Sequence, residues 1–119
     1  MTNPARATCE TVVILNADTL GRGAEALGAK LTGAFLRTLV ALEEKPAALI
    51  LYNGAVRLLS PESTHLEALR ALDDAGVDLL ACVTCLEHFA LTERMVLGRV
   101  SNMREIVQRS LGAAKVITL

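Results

Sequence analysis

Near-continuous apolar runs alternating with helical periodicity predict an α/β fold. The expected form is a three-layer, mostly parallel sheet of about five strands, with helices on both faces. The runs are "TVVILN" (11–16), "AALILY" (47–52), "VDLLAC" (77–82) and "KVITL" (115–119). None alternates polar with apolar, which is the pattern of strands covered on both sides. Strand and helix take turns along the chain, and such a series folds as right-handed βαβ units.

The first ten residues read as a loose tail, and Cys9 within it as an incidental exposed thiol. After the first strand, Leu27, Leu31, Phe35, Leu39 and Leu42 recur at three- and four-residue steps, giving one apolar stripe of a helix. Leu66, Leu69 and Leu72 mark a second helix, with Ser60 and Pro61 suited to its N-cap and first turn. "MVLGRV" (95–100) adds a short, weaker strand. Met103, Ile106, Val107 and Leu111 form a third stripe, begun by Asn102 with Glu105 three residues on. The whole, residues 1–119, reads as one domain without repeats or linkers.

Composition removes several classes of function. Hydrophobic residues make up 52% of the chain, yet there is one Tyr, two Phe and no Trp, so Leu, Val, Ile and Ala must build the core. Mean hydropathy is positive, high for a small soluble domain. An apolar surface hidden in a homo-oligomer is therefore expected, with the faces around Leu27–Leu42 as natural places for it. The apolar runs fall well short of the ~20 residues that span a bilayer, and the N-terminus has no signal-type stretch. A cytoplasmic protein without membrane contact is the expectation. Twelve basic and 13 acidic residues are scattered to a net charge of −1. With no basic cluster and few aromatic rings, nucleic-acid binding is not expected.

Chemistry concentrates at the carboxyl ends of the strands, where ligands bind in open α/β sheets. Those ends carry Asn16 and Asp18, then Asn53 and Gly54, then Cys82. The loops that follow hold Gly21 and Gly23, Thr84 and Cys85, and Ser101 and Asn102. Thr84 and Glu87 form a T-x-x-E capping box, which predicts a helix starting at Thr84 with Cys82 in the turn before it. Free backbone N–H groups and the positive end of the helix dipole favour a thiolate there. Comparable settings lower a cysteine pKa from ~8.5 into the ~3.5–7.5 range. Cys82 is the better nucleophile, and Cys85 is within reach to resolve or protect it. Gly21 and Gly23 suit a tight turn that brings backbone N–H groups near the Cys82 edge.

Other readings compete for the same residues. Free cysteines are often small buried hydrophobes. A closed zinc site needs four ligands, and only His65 and His88 could complete one. No metal and no cofactor are expected. A thioredoxin-like oxidoreductase usually carries C-x-x-C early, with a preceding Trp and a later cis-proline. Here Trp is absent, and Pro4, Pro46 and Pro61 all precede the motif. "LGRGAEALG" (20–28) follows a strand and opens a helix, but Ala26 stands where a dinucleotide fingerprint needs its third glycine.

Taken in order, "ADTLGRGAEALGAKLTGAFLRTLVAL", "LYNGAVRLL", "ACVTCLEHFAL" and "GRVSNMREIVQ" resemble the DsrE-like domain of the YedF family of selenium-metabolism proteins, from about Thr11 to Leu119. The resemblance implies a small α/β protein, commonly oligomeric, that handles sulfur. It also implies a persulfide on the cysteine after a sheet strand, here Cys82. The family's Asn-Gly pair matches Asn53 and Gly54, its Gly-Arg-Gly turn matches Gly21, Arg22 and Gly23, and its Asn-Met pair matches Asn102 and Met103. Its usual Cys-Gly-Thr-Cys is Cys82-Val83-Thr84-Cys85 here, and Val83 cannot cheaply take a positive φ. Full YedF-type members also carry an N-terminal TusA-like domain, whereas these 119 residues cover the DsrE-like part alone.

The resulting expectation is a sulfur or selenium carrier, sulfurtransferase-like at most. Cys82 and Cys85 would be its reactive pair, with Gly21, Arg22, Gly23, Asn53, Gly54, Thr84 and Asn102 lining the crevice. Its partners would be sulfur- or selenium-donor and acceptor proteins. The rival expectations are an oligomeric binding or scaffold module with structural thiols, and a thiol redox or metal sensor.

Overall fold

A strand with no polar side must be covered on both, and this chain meets that demand with one central sheet. The computed structural model describes residues 10–119; residues 1–9 of the expected tail, Cys9 among them, lie outside the described residues. Glu10 accepts at its carbonyl from the Ala114 N–H at 2.9 Å. The strands are β1 (Thr11–Leu15), β2 (Ala48–Leu51), β3 (Asp78–Cys82), β4 (Arg99–Ser101) and β5 (Lys115–Thr118). They form one fully parallel sheet in the order β4-β3-β2-β1-β5. The helices are α1 (Glu25–Ala41), α2 (Leu66–Asp74), α3 (Val83–His88) and α4 (Met103–Gly112), with a 3-10 helix at Asn53–Leu59. The expected α/β sheet of five parallel strands is the one observed.

Successive strand residues point to opposite faces, and two apolar clusters result. On the first face Val13, Leu15, Leu49, Leu51, Leu79 and Ala81 pack with Leu36 of α1, Leu69 and Leu72 of α2, and Leu86 of α3. On the second face Val12, Ala48, Ile50, Leu80 and Cys82 pack with Ile106, the one buried side chain of α4. An ionic lattice pins α4 down. Arg99 bonds both Asp78 at 2.9 Å and Glu105 at 3.1 Å, and Arg109 reaches Asp78 at 2.7 Å. The Arg99 hydrogen bond, followed by that of Arg109, holds the Asp78 carboxyl below the usual carboxylate range despite partial burial.

Four expectations need correction. The two edge strands are not covered on both faces: every residue of β5 is exposed, and in β4 only Ser101 is buried. The strand expected at 95–100 begins only at Arg99. The Leu27–Leu42 stripe is only in part the core side of α1. Phe35 and Leu39 pack against the first core, while Leu27, Leu31 and Leu42 stay exposed on the face expected to meet another copy. The fully buried positions are Gly28, Thr32, Gly33 and Leu36. Small residues win there because the backbone comes close. A Cβ on Gly28 would meet Thr19 Cβ at 2.8 Å, and Thr32 Oγ1 donates to the carbonyls of Gly28 and Asp18. Finally, Ser60 does not cap α2. It ends the 3-10 helix, donating from Oγ to the Arg57 carbonyl at 2.8 Å, and α2 starts later, after His65.

Candidate functional site

The sheet changes sides between β3 and β4. From β3 the chain enters α3, whose Leu86 joins the first-face core; from β4 it enters α4, whose Ile106 joins the second. Adjacent strands whose connections part in this way leave a crevice at their carboxyl ends. Cys82 pairs there with Ser101 across the two strands.

Cys82 is the N-cap of α3, with β-region backbone, and its residue is only 2% exposed, packed towards Leu80, Ile50 and Ile106. Helix α3 therefore starts at Val83, two residues before Cys85, the first helical residue expected with Thr84 as its cap. The capping box does not form: no side chain caps this helix, and Thr84 is an exposed second residue. Val83 sits in the helix and is not among the positive-φ residues, so the Cys-Gly-Thr-Cys departure asks no strained turn of it.

Cys85 lies one turn on, half-buried and in contact with both cores. The Asn53 backbone N–H donates to Cys85 Sγ at 2.9 Å. Burial pushes the Cys85 thiol up, the Asn53 N–H pulls it down, and the hydrogen bond and charge of Cys82 push it up again; the net direction is upward. Both thiols are free. Asn53 itself has φ 49°, the left-handed region that asparagine tolerates best after glycine. Gly54 is buried beside it, and a Cβ there would meet Arg57 Nη2 and Asp18 Oδ1 at an ordinary 3.7 Å.

The remaining candidates divide. Asn102 caps α4, its side chain accepting from Glu105 N–H at 2.9 Å, as the sequence predicts for that helix. Gly21 and Gly23 have φ of 80° and 120°, so their turn does need glycine, and Arg22 between them is exposed. No hydrogen bond joins that turn to the cysteines among the described residues. His88 meets the edge of Phe89, ring centroids 4.8 Å apart.

Sequence reasoning overlooked Tyr52. It follows β2, packs against the second-face cluster with Cys85, and donates its hydroxyl to Met103 Sδ at 3.6 Å. Burial raises its phenol above the usual range, and the charges of Cys82 and Cys85 raise it further. The available signal was position: the chain's single tyrosine directly precedes the Asn53-Gly54 pair.

This geometry can do thiol chemistry. It sets a sequestered sulfur beneath a more open one, with a backbone donor on the second and a phenol nearby. Among the described residues no group of three or more His, Cys, Asp or Glu converges as a metal site, and no helix is long and apolar enough to cross a membrane.

Similar architectures are known. The chain resembles the ychN protein from E. coli (TM-score 0.64, 21% identity, covering 92% of this chain and 97% of that one). It resembles MTH1491 from Methanobacterium thermoautotrophicum to a similar degree (TM-score 0.68, 22% identity, 92% and 97%). BT1422 from Bacteroides thetaiotaomicron gives TM-score 0.66 at 15% identity over 99% and 100%. At these identities the likeness is one of fold. No curated protein matches the sequence. A family model, however, matches residues 11–119, nearly every residue from the first strand onward, and the chain belongs to the DsrE/DsrF-like family.

Proposed function

We propose that the protein is a sulfur or selenium carrier of sulfurtransferase-like type, holding a persulfide on Cys82 with Cys85 as its resolving or tuning thiol. The family's link to sulfur relay gives the setting. The observation that carries the reading is the stacked cysteine pair at the β3/β4 switch point, bonded through Asn53 N–H to Cys85. In loading, the Cys82 thiolate attacks the outer sulfur of a donor persulfide; a new S–S bond forms and the donor leaves as a thiolate. In unloading, an acceptor thiolate attacks that outer sulfur and Cys82 leaves as the thiolate. The raised Cys85 thiol keeps its proton and offers it as a hydrogen bond to that leaving sulfur. Alternatively Cys85 attacks Cys82, expels hydrosulfide and leaves a disulfide that an external thiol must reduce.

Donor and acceptor proteins in the cytoplasm are the partners we infer, and the protein works as a homo-oligomer. In support of assembly, Met103, Val107 and Leu111 line one exposed side of α4, Leu111 at 82%, and Val116 of β5 is exposed as well. One observation favours the scaffold reading: Cys82 is packed like a core residue. Mass spectrometry after incubation with a persulfide donor decides between them. The carrier gains one sulfur at Cys82, and Cys82→Ser gains none there while staying folded. Absence of loading, with both Cys82→Ser and Cys85→Ser destabilised, would establish the scaffold.

A further inference from the structure

A thiol that is 2% exposed meets no donor until something beside it moves. The sheet order says what lies over Cys82. Tyr52 keeps strand geometry one residue beyond β2: its backbone is extended, and its N–H donates to the Leu15 carbonyl at 2.9 Å. The β2–β3 register pairs Ile50 with Leu80 and Leu51 with Ala81, so one further step sets Tyr52 beside Cys82. Alternation puts both on the second face, with Ile50 and Leu80. On the other flank β4 pairs Ser101 with Cys82, and Met103 opens α4 two residues later.

The Tyr52 hydroxyl donates to Met103 Sδ at 3.6 Å. Strands β2 and β4 are two places apart in the sheet, about 10 Å at the ordinary strand spacing, with β3 between them. A bond from the end of one to the helix that follows the other therefore bridges the end of β3, where Cys82 sits. The bridge is easily traded. A thioether is a weak acceptor, and Met103 is 53% exposed, so the phenol changes partners at little cost. Two other donors at this edge are committed: Ser101 Oγ donates to Glu105, and the Asn53 N–H to Cys85 Sγ. Burial, then the charges of the two sulfurs, raise the phenol above its usual range, so it keeps its proton for donation.

We propose that Tyr52 is a further residue of the carrier site: paired with Met103 it covers Cys82, and when Cys82 carries a sulfur its hydroxyl leaves Met103 and donates to that sulfur. The cover stands on the geometry alone, whereas the donor role rests on the carrier reading. A sulfur added to Cys82 extends from the packed cluster towards the bridge. The outer atom of an ionised persulfide is an anion, and a hydrogen bond to a charged acceptor is about twice as strong as one between neutral groups. The carried sulfur thus draws the phenol off Met103, and loading and opening favour each other. Tyr52 makes and breaks no covalent bond in this exchange, and its proton stays on oxygen.

Two conservative variants separate cover from donor. Tyr52→Phe removes the hydroxyl, and Met103→Leu removes the acceptor at nearly constant volume. In unloaded protein, iodoacetamide labelling of Cys82, resolved from Cys85 by fragment mass spectrometry, should quicken about threefold in either variant. The double variant should be no faster than the singles, because both remove the same bond, and Cys85 should be unaffected. Unchanged labelling of Cys82 in both folded variants, a double variant that multiplies the single effects, or an equal rise at Cys85 overturns the cover. On loading the variants should part. At equilibrium with glutathione persulfide and glutathione, Tyr52→Phe should lower the ratio of loaded to unloaded Cys82 about fivefold, and Met103→Leu should not lower it. Equal loading of Tyr52→Phe and wild type, or equal losses in both variants, overturns the donor role. Failure of wild-type Cys82 to load at all overturns the carrier reading and the donor role with it, while the labelling result still decides the cover.

Discussion

The two faces of the sheet are built from the same strands but finished differently. The first is roofed by α1, the 3-10 helix and α2, and buries a large leucine-rich core. The second is covered by α4 alone, through Ile106, and it holds Cys82, Tyr52 and the exposed side of α4. Most of the apolar burial lies on one face and the candidate thiol Cys82 on the other. The second face accommodates a buried thiol, a phenol and polar crevice residues because the first supplies most of the apolar burial.

The strongest way to break this contrast is to truncate one leucine on each side. Leu51→Ala, fully buried in the first core, should cost about 2–5 kcal/mol in chemical denaturation. Leu111→Ala on exposed α4 should change monomer stability by no more than about 0.5 kcal/mol, yet shift the association equilibrium seen in sedimentation. Equal destabilisation by both would erase the division of labour.

A second comparison sets one thiol against the other. Cys85 is pushed up, so its alkylation should accelerate only above the pH at which an ordinary thiol of about 8.5 ionises. In Cys82→Ala the hydrogen bond and charge from the neighbour are gone, and the Cys85 profile should move to lower pH. An unmoved profile would mean the two sulfurs do not communicate.

Asn53 stands where the faces meet. Asn53→Gly keeps the donating N–H at no conformational cost, whereas Asn53→Ala must hold φ 49° at about 1 kcal/mol. Thermal melts should rank glycine with wild type and alanine below it.

The smallest effect concerns acid. The Asp78 carboxyl is depressed by Arg99 and Arg109, so it contributes stability above its unfolded pKa that is lost as pH falls through its folded one. Stability of the wild type should therefore drop below about pH 4. Asp78→Asn should flatten that drop, and an identical acid limb in the variant would show that α4 is pinned by packing alone.

How much of this could be read from sequence follows the same division. The three inner strands were plain, because apolar runs covered on both sides leave a signature that tolerates little else. Cys82 and Asn53 were placed at strand ends for that reason. Helix α1 misleads in part, since leucines signal a core more loudly than Gly28 and Thr32, which bury because the 18–20 backbone approaches there, or Gly33, which lies under the Arg37 and His65 side chains. "NGAVRLL" gave no sign of a 3-10 helix: its run of apolar residues is short and fits no single period. Thr84 carries a proper capping signal, but the strand enters the helix two residues early, with Cys82 as N-cap, and leaves it unused. Tyr52 has only its position before Asn53-Gly54 to mark it in the sequence, because it is the fold that brings it to Met103 and the cysteines.

The neighbouring of β1 and β5 has a kinetic meaning. Their register matches Thr11 with Lys115 and Ile14 with Thr118, joining positions more than a hundred residues apart. Every intervening element must be threaded before that ladder closes, and loop entropy makes such long-range pairing late. The strand is also short and exposed throughout, so little holds it before it docks. We therefore expect Ile117→Ala to leave the folding rate nearly untouched and to quicken unfolding, because its contacts form after the transition state. The last strand written is the last to arrive, and the first to leave.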